Sequence, residues 1–194
     1  ATAHPLATQA GLEIIRQGGN AFDAAVAITA TLAVVEPYSS GLGGGGFWLL
    51  HQASDGKQIM IDGRETAPGA AKSTDYLDKT RKLKPGATLN GPLAAAIPGV
   101  AAGLVHINEK YGRLTLAQNL AQAIRYAREG FTVSEHYRRM AGFRLETLRA
   151  STEAASIFLQ DNAVPPEGHK IIQADLARTL KLIVRRGSAG FYHG

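Results

Sequence analysis

Apolar positions along the chain fall into helix-like and strand-like runs with clear punctuation between them. Thr8 to Gln17 predicts a short helix with Ile14 and Ile15 on its buried side, closed by Gly18-Gly19. Asn20 then predicts the cap of a second helix, with Asp23 three positions on as the acidic partner of a capping box. That helix, AFDAAVAITATLAVVE, is apolar nearly all round and stops at Pro37. At about 15 residues it is too short to span a bilayer, so it predicts a core helix packed on several sides.

FWLLHQ and QIMID predict two strands joined by a turn at Ser54-Asp55-Gly56-Lys57. The second strand runs into GRETAP, where Pro68 ends regular structure. LNGPLAAAIPGVAAG predicts an extended stretch that turns at Pro98-Gly99 into a helix through Lys110. Thr115 predicts the cap of a helix to Glu129 closed by Gly130, and Ser134 the cap of another to about Ala150. STEAASIFLQDNAVPPEGHK reads as the most loop-like part, and a last helix runs from Asp175 to Arg186 and ends at Gly187.

Composition narrows the class. With 194 residues, 45% hydrophobic and 19% charged, the chain is globular rather than disordered and fits one domain or part of a larger one. Cysteine is absent, which removes disulfides and any thiolate ligand or nucleophile. The opening ATAHPLATQAG lacks the charged and apolar regions of a signal peptide, and its missing Met points to a processed or cut start. Residues 1–70 hold three Lys/Arg against six Asp/Glu, whereas residues 71–194 hold eighteen against ten. The basic residues are scattered along amphipathic helices, without the aromatic-bearing strand face of an RNA-binding sheet. No nucleic-acid partner is expected, and no membrane-spanning segment.

SSGLGGGGFWLL, residues 39–50, is the most unusual stretch. Gly41, Gly43 and Gly46 satisfy G-x-G-x-x-G, but here a helix precedes the glycines and a strand follows them. A dinucleotide loop needs the reverse order, and no Lys-Ser/Thr pair follows to make a P-loop. The run therefore predicts a corner where glycine takes positive φ and the backbone passes close to another backbone or a ligand. Ser39-Ser40 predicts a turn, since neither His4 nor His51 stands at triad-like spacing. The six His are scattered without metal-ligand spacing, so no metal and no cofactor is expected.

The order of segments nonetheless resembles a known family. ATQAGLEIIRQGGNAFDAAVA, GLGGGGF, IDGRETAP, IPGVAAGL, YGRLTLAQNLAQAIRYAREGF and QADLARTLKLIVRRGSAGFYHG, in this order, resemble the N-terminal part of the γ-glutamyltransferase (γ-glutamyl transpeptidase) large subunit across residues 1–194. The resemblance implies an α+β fold, the αββα sandwich of N-terminal-nucleophile hydrolases, only partly contained in this chain. It implies a precursor that cleaves itself before a Thr into a large and a small subunit. That Thr then takes the γ-glutamyl group of glutathione and passes it to water or an amino acid. It also implies a periplasmic or secreted enzyme.

No Thr here opens the Thr-Thr-His or Thr-Ser-His segment of the family nucleophile, so no catalytic residue is expected in this chain and the chain alone is expected to be inactive. The resemblance carries one substrate-binding residue, Arg64, onto the Arg of the D-x-R-E-x-A-P segment, as the grip on the substrate α-carboxylate. A guanidinium at a strand end suits that task, because its planar fork matches two carboxylate oxygens. Glu65 is expected to orient Arg64 or nearby backbone, and Asn20, Asp23 and Gly43–Gly46 to serve architecture. Two alternatives stay open: a cephalosporin or glutaryl acylase of the same superfamily, and a non-catalytic module binding anionic amino acid derivatives.

Overall fold

Helix α1 (Pro5–Arg16) begins earlier than the apolar pattern predicts, because His4 caps it and Pro5 fills a first-turn position that needs no N–H donor. The His4 Nδ1 accepts the Leu6 N–H at 3.2 Å. Ile14 is buried as expected, but Ile15 faces outward and is 48% exposed. Asn20 and Asp23 form the predicted capping box at the start of α2 (Ala21–Val35). Gly11 lets these two helices pack closely, since a Cβ there would meet the Ile28 Cδ1 at 2.6 Å.

The computed structural model describes residues 1–193 and divides into two units, Ala1–Leu42 with Ala101–Gly194, and Gly43–Val100. The first unit continues through α3 (Val100–Tyr111), α4 (Leu116–Glu129), α5 (Glu135–Phe143), α6 (Leu145–Arg149), α7 (Thr152–Phe158), α8 (Ala174–Arg186) and α9 (Ala189–Tyr192). Its core forms where α2 packs on α1 and α4, and α4 on α8, burying Val26, Val34, Leu120 and Leu180. Thr115 caps α4 and Gly130 closes it at φ 87°, both as the sequence predicts.

Three further stretches depart from the sequence reading. The helix predicted from Ser134 to about Ala150 breaks at Arg144 into α5 and α6. The loop-like stretch after Ala150 contains α7, because Ser151 caps it through the Ala154 N–H. A two-residue ribbon pairs β3 (Phe131–Thr132) with β4 (Lys170–Ile171), and its strands are too short to show any periodicity.

In the second unit, β1 (Gly46–Gln52) and β2 (Lys57–Gly63) form the predicted antiparallel hairpin, with Gly46 opposite Gly63. After β2 an isolated bridge, Thr66 with Ile97, closes an excursion that holds a second bridge, Leu77 with Leu83, and 3₁₀ turns at Ser73–Tyr76 and Pro92–Ala94. Each unit thus holds one two-stranded ribbon, and the fold class is mixed α+β. Among the described residues no helix is long and apolar enough to cross a membrane.

Asp23 does more than complete a cap. Its carboxylate accepts from the backbone N–H groups of Asn20 (2.9 Å), Arg113 (2.9 Å) and Leu114 (3.2 Å) and from the Asn119 side chain (2.8 Å). Burial pushes its pKa up, but the donors, led by Arg113 N–H, outweigh burial and hold it below the ordinary carboxylate value. Because its folded pKa is depressed, the stabilisation is present above the unfolded pKa and is lost as pH falls through the folded value. Asp23→Ala leaves several buried donors unpaired and is expected to cost roughly 3 kcal/mol in chemical denaturation at pH 7. The gap between wild type and variant should shrink as pH is lowered below about 4.

His4 makes the start of α1 depend on pH in the same direction. Burial, and then the neighbouring His136, push its pKa below the ordinary imidazole value. Protonation would put a hydrogen on the Nδ1 that must accept from Leu6, and a positive charge at a helix N-terminus. The cap is therefore intact above the unfolded pKa and is lost as pH falls through the depressed folded one. His4→Asn, a cap that does not titrate, should remove up to about 1 kcal/mol of the stability loss between pH 7.5 and pH 5, measured by thermal melts of both proteins.

Candidate functional site

Arg64 stands immediately after β2, where the hairpin ends and the chain turns toward Pro68. Its own N–H donates to the Asp62 Oδ1 at 2.9 Å, which fixes the first residue after the strand. The side chain is 70% exposed, and its Nε lies 3.3 Å from the Glu65 Oε2. Glu65 therefore contacts Arg64 as expected. An ion pair this exposed contributes little stability, on the order of 0–1 kcal/mol, so the fold does not consume the guanidinium.

The glycine run comes to this same segment. A Cβ on Gly45 would meet the Glu65 side chain and, at 2.8 Å, the Glu65 backbone N. The Gly44 carbonyl accepts from the N–H groups of Gly99 (3.1 Å) and Val100 (3.2 Å). Gly43, Gly45 and Gly46 do not adopt positive φ, which corrects that part of the sequence reading. Of these three only Gly45 is required for close approach, since a Cβ on Gly43 would meet nothing within 4 Å and one on Gly46 would reach Trp48 only at an ordinary 3.5 Å. The run bears on the Arg64–Glu65 segment rather than forming a cradle for a phosphate.

Other candidates resolve more simply. Ser39 and Ser40 both donate their backbone N–H to the Glu36 carbonyl, the turn that follows α2. His4 is committed to capping α1, and His51 is an exposed residue of β1. Among the described residues no group of three or more His, Cys, Asp or Glu is placed to hold a metal. In the first unit a cavity of about 240 Å³ is walled by Tyr38, Tyr137, Met140 and Phe158, with the Tyr38 and Tyr137 hydroxyls pushed up to about 12 chiefly by burial. Both tyrosines thus stay neutral in the physiological range, and the cavity holds no general base.

Sequence reasoning missed Ile97 and Gly99, which meet Thr66 and Gly63 on either side of Arg64–Glu65. Thr66 N–H donates to the Ile97 carbonyl at 3.1 Å, and Ile97 N–H returns a bond to the Thr66 carbonyl at 2.9 Å. The Pro98-Gly99 pair was the available signal, read as a turn only. Chemically, the assembled residues can hold an anion; they contain no activated nucleophile, acid or base.

Comparison with known proteins places the chain in a family. The Gamma-glutamyltranspeptidase family profile matches residues 7–194. A glutathione hydrolase proenzyme of Pseudomonas sp. (strain A14) is 39% identical over the whole chain, which covers 34% of that protein. A second, from Bacillus subtilis (strain 168), is 37% identical, and 33% of it is covered. The chain thus spans about a third of the length of these relatives. The structure of Helicobacter pylori gamma-glutamyltranspeptidase superimposes with a TM-score of 0.96 at 37% identity, over all of this chain and 56% of that one. The Pseudomonas nitroreducens gamma-glutamyltranspeptidase complexed with L-DON gives 0.91 at 35% identity, also over all of this chain and 56% of that one. With its sequence matched from residue 7 onward and its fold reproduced in full, this chain belongs to the gamma-glutamyltranspeptidase family.

Proposed function

We propose that residues 1–194 are the N-terminal part of the large subunit of a γ-glutamyltransferase or glutathione hydrolase, and that Arg64 binds the α-carboxylate of its γ-glutamyl substrate. The supporting observation is a 70% exposed guanidinium at the end of a paired strand, on a backbone held from both sides. Its contact with Glu65 is through Nε, so the two Nη groups are the ones an incoming carboxylate would take. Glu65 then steadies the side chain against rotation while the substrate binds.

The nucleophile belongs, on this reading, to the part of the relatives' length that this chain does not span. An N-terminal Thr released by self-cleavage opens the small subunit, the partner of this chain. It attacks the γ-glutamyl amide carbonyl, the amine product leaves, and water or an amino acid accepts the acyl group. Arg64 orients the glutamyl end so that the scissile carbonyl meets that hydroxyl, a contribution of positioning rather than of bond chemistry. The likeness to proteins named glutathione hydrolase proenzyme supports glutathione as substrate and a self-processed precursor. A place in glutathione metabolism, in the periplasm or outside the cell, is part of the same proposal and rests on family membership. A cephalosporin acylase from Bacillus halodurans matches at a TM-score of 0.87 and 32% identity, which keeps a different acyl group as the second reading.

Kinetics on the full-length enzyme decide between them. Arg64→Ala removes one partner of a charge-assisted pair, which costs roughly 2–5 kcal/mol. The expected loss in kcat/KM on γ-glutamyl-p-nitroanilide is roughly 30- to several-thousand-fold. On 4-aminobutanoyl-p-nitroanilide, which lacks the α-carboxylate, wild type and variant should be equal, and Arg64→Lys should recover only part of the loss. Equal losses on both substrates, or none on the first, would make Arg64 a structural residue. A wild type that prefers glutaryl- to γ-glutamyl-p-nitroanilide would favour the acylase reading.

A further inference from the structure

Two glycines, Gly63 and Gly99, meet back to back one residue before Arg64. A Cβ on Gly99 would fall onto the Gly63 carbonyl, with the Gly63 carbonyl carbon 2.6 Å away and its Cα 3.1 Å away. All three are backbone atoms, so no side-chain rotation can relieve the clash. Gly63 is itself closely packed, for a Cβ built on it would meet the Trp48 Cζ3 at 2.6 Å and the Gly46 carbonyl oxygen at 3.2 Å. Backbone is thus layered on backbone, with an indole ring behind it.

The same short segment grips the chain again just past Arg64, through the reciprocal Thr66–Ile97 hydrogen bonds. Arg64 and Glu65 are the two residues between these grips. Gly99 is itself fixed, since its N–H donates to the Gly44 carbonyl. The run that supplies Gly44 also supplies Gly45, where an added Cβ would collide with the Glu65 backbone N. This arrangement sets where the guanidinium starts from. A hairpin end needs no such packing to stay paired, because β1 and β2 already bond along their length.

We propose that Gly99 is a positioning residue for Arg64: its bare Cα lets the Ile97–Gly99 segment seat the Gly63 carbonyl, and so determines selectivity for substrates with an α-carboxylate. Gly45 performs the matching task for Glu65. The proposal rests on Arg64 as the carboxylate-binding residue. Any side chain at position 99 displaces the Gly63 carbonyl, and with it the Cα of the next residue. Misplacement of a binding group by about 1 Å costs on the order of 100-fold in a well-organised site.

The test uses the full-length enzyme with Gly99→Ala, Gly45→Ala and Arg64→Ala beside wild type, on γ-glutamyl- and 4-aminobutanoyl-p-nitroanilide. Gly99→Ala should raise KM for the γ-glutamyl substrate by roughly tenfold or more. Its kcat and KM on the carboxylate-free substrate should stay within about twofold of wild type, a split that general damage to the fold does not produce. Should Gly99→Ala fail to fold, Gly45→Ala carries the same comparison, because its clash is partly with a movable side chain. If Arg64→Ala discriminates between the substrates and the glycine variant that folds does not, or loses equally on both, the positioning role is wrong. If Arg64→Ala itself fails to discriminate, the reading beneath it fails first, and the two failures are told apart.

Discussion

Four hydrogen bonds converge on the buried carboxylate of Asp23, and they join parts of the chain that are far apart in sequence. One closes the capping box of α2, two hold the backbone at Arg113 and Leu114, and one reaches Asn119 in the first turn of α4. The α2 and α4 faces that bury Val26, Val34 and Leu120 can pack in only one register once these starts are pinned. Gly112 is part of the same constraint, for a Cβ there would meet the Asp23 Oδ1 at 2.6 Å. Burying an anion is costly without donors, so the surrounding loop must be shaped to supply them.

The second unit meets its own constraint by a different means. Instead of a carboxylate collecting donors, it removes side chains so that backbones can touch. Gly45, Gly63 and Gly99 crowd around one strand end, and the Gly99 N–H bonds the Gly44 carbonyl where side chains would pack elsewhere. The outcome is a closely packed base under an exposed cation, the support that the carboxylate-binding role proposed for Arg64 calls for. Rigid support is what separates a binding arginine from a mobile surface one.

Local signals made much of this legible. Asn20 with Asp23, Thr115 and Gly130 each act within a few residues, so the ends of α2 and α4 could be read from the chain. The start of α1 was obscured because histidine is an unusual cap, and α7 because its stretch is rich in polar residues and prolines. The break at Arg144 has no proline or β-branched residue to announce it. Arg64 was visible only through its family segment; as an isolated Arg-Glu pair it is indistinguishable from an ordinary surface ion pair. The glycine run announced a close approach correctly but not its geometry, since φ depends on partners such as Glu65 and Val100 that periodicity cannot identify. The Gly63–Gly99 contact was illegible for the same reason: it joins two residues whose only shared property is a missing side chain.

The central claim is that this chain contributes a pre-placed carboxylate-binding guanidinium to a γ-glutamyl site. A crystal structure of the full-length enzyme with a γ-glutamyl-derived inhibitor bound tests it most directly. The account predicts the inhibitor's α-carboxylate within about 3 Å of the Arg64 Nη groups. It also predicts that the reciprocal Thr66–Ile97 backbone bonds remain as they are here. An inhibitor whose α-carboxylate is held by other residues, with Arg64 still turned only to Glu65, would contradict it.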